Sequence, residues 1–210
     1  DSFEQWLTYQ GIKKLDRVSR ESLLMYRVEL TTEQANQLLN HADVRCIDLM
    51  PSSGISYQKK DLPLEKIPHI QQPAEEAARI CILDSGVNSG HPLLQAAMGE
   101  GVNFTNRKTE MDETGHGTAV AGIALYGNLE ENIQANYWEP ELWLLSGKIL
   151  NDKNEFDEKT IENTITEAVE YFVANHNCKI FNLSIGNANA PYQGGHVQGI
   201  AYVLDTLARK

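Results

Sequence analysis

The stretch "DETGHGTAVAGIALYG", residues 112–127, sets narrow terms for the fold around it. A histidine between Gly115 and Gly117 costs backbone entropy and gives a core nothing, but it lets a second backbone or a substrate approach the ring. The run from Thr118 to Leu125 is apolar and built largely of small residues, the pattern of a tightly packed buried helix. His116 at the start of such a helix stands on a rigid support with its ring exposed. That placement suits a general base.

The helix belongs to an alternating series. "RICILD" (79–84), "GVNFT" (101–105), "LWLLSGKIL" (142–150) and "CKIFNLSIG" (178–186) read as strands. "TIENTITEAVEYFVANH" (160–176) and "HVQGIAYVLDTLARK" (196–210) read as amphipathic helices. Strands alternating with helices predict an α/β fold over residues 77–210: a parallel sheet, right-handed crossovers and helices on both faces. Function in such sheets gathers at the carboxyl ends of strands. Asp84, Leu150 and Gly186 fall there.

Residues 1–50 predict a separate small α+β module. It comprises a helix within 1–20 carrying Phe3, Trp6 and Leu7, a strand "LLMYRVEL", a helix capped by Thr32, and a second strand "VRCIDLM". Four of the seven prolines lie within residues 51–73, so 51–76 read as a linker. The acidic run "GNLEENIQANYWEPEL" (127–142) reads as a solvated loop; it lacks the spaced oxygen ligands of a calcium site.

Composition excludes some classes. Net charge is −11 with scattered basic residues, which speaks against nucleic acid or an anionic membrane as partner. No run approaches the roughly 18 apolar residues of a membrane span. The chain opens on Asp1, so the lack of a leader carries little weight. Cys46, Cys81 and Cys178 have no C-x-x-C spacing and read as small buried residues, which favours a reducing, cytoplasmic setting over a secreted one. His41, His69, His176 and His196 show no metal-like pairing, and His91 in "SGHP" reads as a turn residue. Neither metal nor cofactor is expected.

Taken alone, Asp84 reads as a turn or cap residue, though a phosphoacceptor or a phosphatase-type nucleophile would begin the same way. The phosphatase reading wants a D-x-D pair, and position 86 is glycine. Asp84 and His116 together suit a charge-stabilised base, the carboxylate fixing the imidazole tautomer. "ICILDSGVNSGHPLL", "DETGHGTAVAGI" and "IFNLSIGN" resemble three successive blocks of the subtilases, the subtilisin-like serine proteases, in the family's order, with Asp84 and His116 32 positions apart.

The resemblance implies that Asp84 and His116 are the aspartate and histidine of an Asp-His-Ser triad. It implies that Ser184, Ile185 and Gly186 pair with a polypeptide substrate by β-augmentation. Leu150 and Asn151, after "GK", are implied as walls of the substrate pockets. The family's G-T-S-x-A-x-P block, with its serine, and its oxyanion asparagine do not occur in these 210 residues. The resemblance therefore implies a partner in the remaining segment of the same domain, and an inert chain without it. A pseudoprotease scaffold is the competing expectation. In the N-terminal module, "LLMYRVELTTEQANQLLNHADVRCIDLMPS" resembles half of a subtilase propeptide, with a permanent non-inhibitory domain as the alternative.

Overall fold

Every apolar strand of the α/β region finds its place in one sheet. The computed structural model describes residues 2–49, 67–186 and 199–209. Strands β3 (Arg79–Asp84), β4 (Met98–Asn103), β5 (Trp143–Lys148) and β6 (Ile180–Asn182) form a parallel four-stranded sheet in the order β4-β5-β3-β6. Helix α3 (His116–Tyr126) covers one face, while α5 (Ile161–His176) and α6 (Gly199–Ala208) cover the other. The α/β expectation is met.

Alternation along the strands explains the two layers. Cys81 and Leu83 of β3 and Leu145 of β5 point into a core with Ile165, Ala168 and Phe172 of α5. Their neighbours Ile82 and Leu144 point the other way, towards Ala121 and Leu125 of α3. Strands buried on both faces are continuously apolar for this reason.

Residues 2–49 form helix α1 (Ser2–Tyr9), an antiparallel ribbon of β1 (Lys13–Arg20) and β2 (Leu23–Glu29), and helix α2 (Thr32–Leu39). Leu7, Ile12 and Leu38 make their small core. Helix α2 is capped by Thr31, one residue ahead of the expected Thr32, and Gln34 completes a capping box.

Several expectations need correction. Strand β1 falls where only a helix was expected, and residues 44–49 of the predicted strand "VRCIDLM" are irregular. Val44 and Ile47 both pack against the small core, and a spacing of three is incompatible with one face of a strand. Residues 127–142 are not simply loop: Asn128 caps a short helix α4 (Leu129–Ala135), and Trp138 is buried edge-on against Tyr126. Helix α3 is not buried all round, since Ala119 and Ile123 lie on an open face and Ile123 is 57 % exposed. Cys81 and Cys178 are buried as expected, but Cys46 is exposed; all three are free thiols.

Residues 51–66 of the expected linker lie outside the described residues. Beyond them, Ile67 and Ile70 pack into the α3-side core, and Ala74 accepts a hydrogen bond from the Trp143 indole at 2.8 Å. Among the described residues, no helix is long and apolar enough to cross a membrane.

Candidate active site

Strand β3 ends at Asp84 and α3 begins at His116, and the two side chains meet. His116 Nδ1 lies 2.6 Å from Asp84 Oδ1, with Asp84 0 % and His116 8 % exposed, so the ring is buried where an exposed one was expected. A carboxylate only accepts, so Nδ1 is the donor in this contact. The same Oδ1 accepts the Ser85 N–H at 2.7 Å; Oδ2 is buried and takes no hydrogen bond from the described residues.

Glycine makes this approach possible at two points. A Cβ on Gly117 would stand 2.1 Å from the Gly86 carbonyl oxygen and 3.2 Å from Asp84 Cβ. Gly86 itself has φ of 98°, and a Cβ there would meet the Glu110 carbonyl oxygen at 2.3 Å. The two turns lock together at distances no side chain allows. The "GHG" pattern is thus a record of close backbone contact.

Asp112 supplies the cap that α3 otherwise lacks. The N-cap position is Gly115, in the left-handed region at φ 87° and without a side chain to accept. Asp112 Oδ1 accepts the N–H groups of Thr114 and Gly115 at 2.9 and 2.8 Å, and Oδ2 accepts the N–H and hydroxyl of Thr118 at 2.9 and 2.6 Å. A negative charge at a helix N-terminus is further favoured by the dipole. Burial alone would raise the Asp112 pKa; the Thr118 hydroxyl and these N–H groups outweigh it and hold the carboxyl below its ordinary range. Ser85 completes the joint. Its hydroxyl donates to Asp112 Oδ1 at 2.9 Å and accepts the Gly117 N–H at 3.0 Å.

Lys148 stands opposite Asp84 in the β3–β5 register and is fully buried. Its ammonium donates to the Met111 carbonyl and to Glu113 Oε2, each at 2.8 Å, fastening the loop ahead of His116. Sequence reasoning missed Asp112 and Lys148. The signals were there: a lysine inside a buried apolar strand must be paired, and an acid shortly before a helix that starts on glycine is a surrogate cap.

The other expected residues surround this corner to different degrees. The backbone N–H groups of Ile149 and Leu150 donate to the Asp84 carbonyl at 2.8 and 3.1 Å, so the "GKIL" edge hangs from the aspartate's own main chain. The Leu150 side chain lies in the α5-side core. Asn151 organises its loop, accepting the Lys153 and Glu155 N–H groups at 2.9 and 3.1 Å. Ser184, Ile185 and Gly186 continue past the end of β6 at the sheet's edge, where the Ser184 hydroxyl donates to Asn182 Oδ1 at 2.9 Å and Ile185 packs on the core. His91 opens a turn, its Nδ1 accepting the Leu93 N–H at 3.3 Å, and burial lowers its pKa. Among the described residues, no group of three His, Cys, Asp or Glu side chains is arranged to hold a metal ion.

The family model for the subtilase family matches residues 75–207, more than half of the chain. The chain belongs to the subtilase family. Residues 1–49 match a second model, the Y4kK central domain. Among curated proteins, subtilase relatives include thermitase of Thermoactinomyces vulgaris, 32 % identical over 52 % of this chain and 37 % of its own length. Subtilisin of Bacillus sp. (strain TA39) is 30 % identical over 52 % of this chain and 27 % of its own. The uncharacterized protein y4kK of Sinorhizobium fredii is 30 % identical over 45 % of this chain and 30 % of its own. The chain thus spans about a third of the length of these relatives. A solved cold adapted subtilisin-like serine proteinase overlaps at a TM-score of 0.43 and 18 % identity, over 69 % of this chain and 50 % of that one.

Proposed function

We propose that the complete protein is a serine endopeptidase in which Asp84 and His116 are two members of an Asp-His-Ser triad. The buried 2.6 Å contact between their side chains carries this reading. His116 Nε2 takes the proton of a serine hydroxyl as that oxygen attacks the scissile carbonyl, and Asp84 stabilises the imidazolium that forms. His116 then returns the proton to the leaving amine. Water activated by the same histidine hydrolyses the acyl-enzyme. The serine and the oxyanion donor come from sequence outside these 210 residues, so the chain by itself is inert and has the rest of the domain as its partner.

The substrate is an extended polypeptide. It lies between Ser184–Gly186 and the edge at Leu150 and Asn151, pairing through its backbone. Labelling by a fluorophosphonate probe tests the proposal. The full-length protein is expected to react, while its His116→Ala variant and the isolated 210-residue chain are not. Failure of the full-length protein to react contradicts the enzymatic reading, and labelling of the isolated chain contradicts its inertness.

A further inference from the structure

Two side chains of the β1–β2 ribbon reach across to one stretch of the protease domain, residues 156–163. Asp16 Oδ2 accepts the N–H and the hydroxyl of Thr160, the N-cap of α5, at 2.6 and 2.9 Å. Both Asp16 oxygens also accept from the Asn163 amide, at 3.1 and 3.0 Å. Arg27 donates to three main-chain carbonyls, those of Phe156, Asp157 and Lys159. A guanidinium holding three backbone carbonyls fixes the path of a loop, where a single side-chain contact would not.

That loop is the continuation of the candidate cleft wall. It starts at Asn151, whose amide donates to Asp157 Oδ1 at 3.2 Å. The preceding residue, Leu150, donates its N–H to the Asp84 carbonyl. On the other side, Asp157 Oδ2 accepts the Asn106 N–H at 2.7 Å, and Arg107 pairs with Asp152 at 2.8 Å. Hydrogen bonds at Asp157 and Asn151, continued by the peptide link from Asn151 to Leu150, therefore join the ribbon to the main chain of the catalytic aspartate. Loops of this kind, on the rim of a sheet and free of regular structure, ordinarily sit at the low-stability end of a fold. Here the ribbon adds to the anchorage that Asn106, Arg107 and Asn151 give the loop.

We propose that residues 2–49 act as a positioning module for the substrate cleft, with Arg27 and Asp16 holding loop 151–160 in shape for the residues upstream of the scissile bond. The module is then a standing part of the enzyme, not a plug removed from the cleft. This inference rests on the protease reading above. It assigns Arg27 and Asp16 as positioning residues that touch no substrate.

The experiment uses the full-length protein with Arg27→Met, Arg27→Lys and Asp16→Ala. Each is assayed with a peptide filling several upstream positions and with a single-residue ester that reaches only the scissile bond. Arg27→Met and Asp16→Ala are expected to raise KM for the peptide about tenfold with kcat little changed, and to leave the ester unaffected. Arg27→Lys, which keeps charge but loses the fork, is expected to fall between wild type and Arg27→Met. Amide hydrogen exchange should show protection lost in 151–160 and retained in β3 and β5. Equal losses on both substrates, or unchanged exchange in the loop, would overturn the proposal. So would a fall in KM, which would mark residues 2–49 as an inhibitory propeptide. If the wild type hydrolyses neither substrate, the protease reading falls, and exchange in 151–160 alone decides whether Arg27 holds the loop.

Discussion

The Asp84–His116 corner and the seat of residues 2–49 on α5 are both polar joints between distant segments, yet they are built from different materials. The corner is made by backbone approaching backbone: Gly117 against the Gly86 carbonyl, and Ser85 bridging Asp112 and Gly117. The seat is made by long side chains reaching to backbone, Arg27 to three carbonyls and Asp16 to the start of α5. Close backbone contact admits only glycine or a small residue at fixed positions. A long side chain reaches its target from many positions, and the target backbone has no required sequence. The first joint therefore has to be exact in placement, whereas the second tolerates adjustment.

The largest effect should come from the corner. In the full-length protein, His116→Ala is expected to lower turnover on the order of 10⁶-fold, and Asp84→Asn about 10⁴-fold, with little change in KM. Steady-state kinetics checks both. A loss of tenfold or less would mean that the corner is not the catalytic centre.

Gly117→Ala sharpens the contrast. Its Cβ has no room beside Gly86, so stability should fall by about 3 kcal/mol in denaturant unfolding. A substitution of the same size at Gly127, where nothing lies within 4 Å but φ is 61°, tests backbone strain without crowding and should cost less.

Asp112 gives the corner a pH dependence of its own. Its folded-state pKa lies below the unfolded value, so its contribution is present above the unfolded pKa and lost as pH falls through the folded one. Asp112→Asn should cost about 2 kcal/mol at neutral pH and flatten the acid limb of stability against pH. An unchanged acid limb would show that Asp112 does not hold the start of α3.

At the seat, the smallest effects are expected and two groups act in opposite senses. Burial raises Asp16, but the backbone N–H groups of Thr160 and Arg17 and the side chains of Thr160 and Asn163 bring it below its ordinary range, so its support is lost on acidification. Glu162, buried in the first turn of α5 beside Met25, is raised chiefly by burial, opposed by its own backbone N–H and aided by the charge of Asp16. Its cost is absent below the unfolded pKa and grows as pH rises through the folded value. Residues 2–49 should hold tightest at intermediate pH. Asp16→Asn should cost about 1 kcal/mol and remove the acid-side loss, while Glu162→Gln should remove the alkaline-side loss. Exchange protection in β1 and β2 across pH measures both.

The same contrast explains what the sequence disclosed. β3 was legible to the residue, because a strand buried on both faces is uniformly apolar and "RICILD" stops at Asp84. The helix at 116 was legible through its small apolar run, and the Asp84–His116 pairing through the three blocks that resemble the subtilases. β1 was not: "KKLDRVSR" is mostly charged, slips register between Lys14 and Asp16, and buries only Val18. α4 was hidden because its residues are polar and its one strong signal is the Asn128 cap. Arg27 and Asp16 carry no local pattern at all, since their partners lie some 130 to 147 positions away.

The direct measurement is the Nδ1 proton of ¹⁵N-labelled His116 in the folded protein. The account predicts a slowly exchanging, strongly downfield imidazole resonance that disappears in Asp84→Ala and persists in Arg27→Met. Absence of that resonance in the wild type, or its survival without the Asp84 carboxylate, would contradict the pairing on which the proteolytic reading stands.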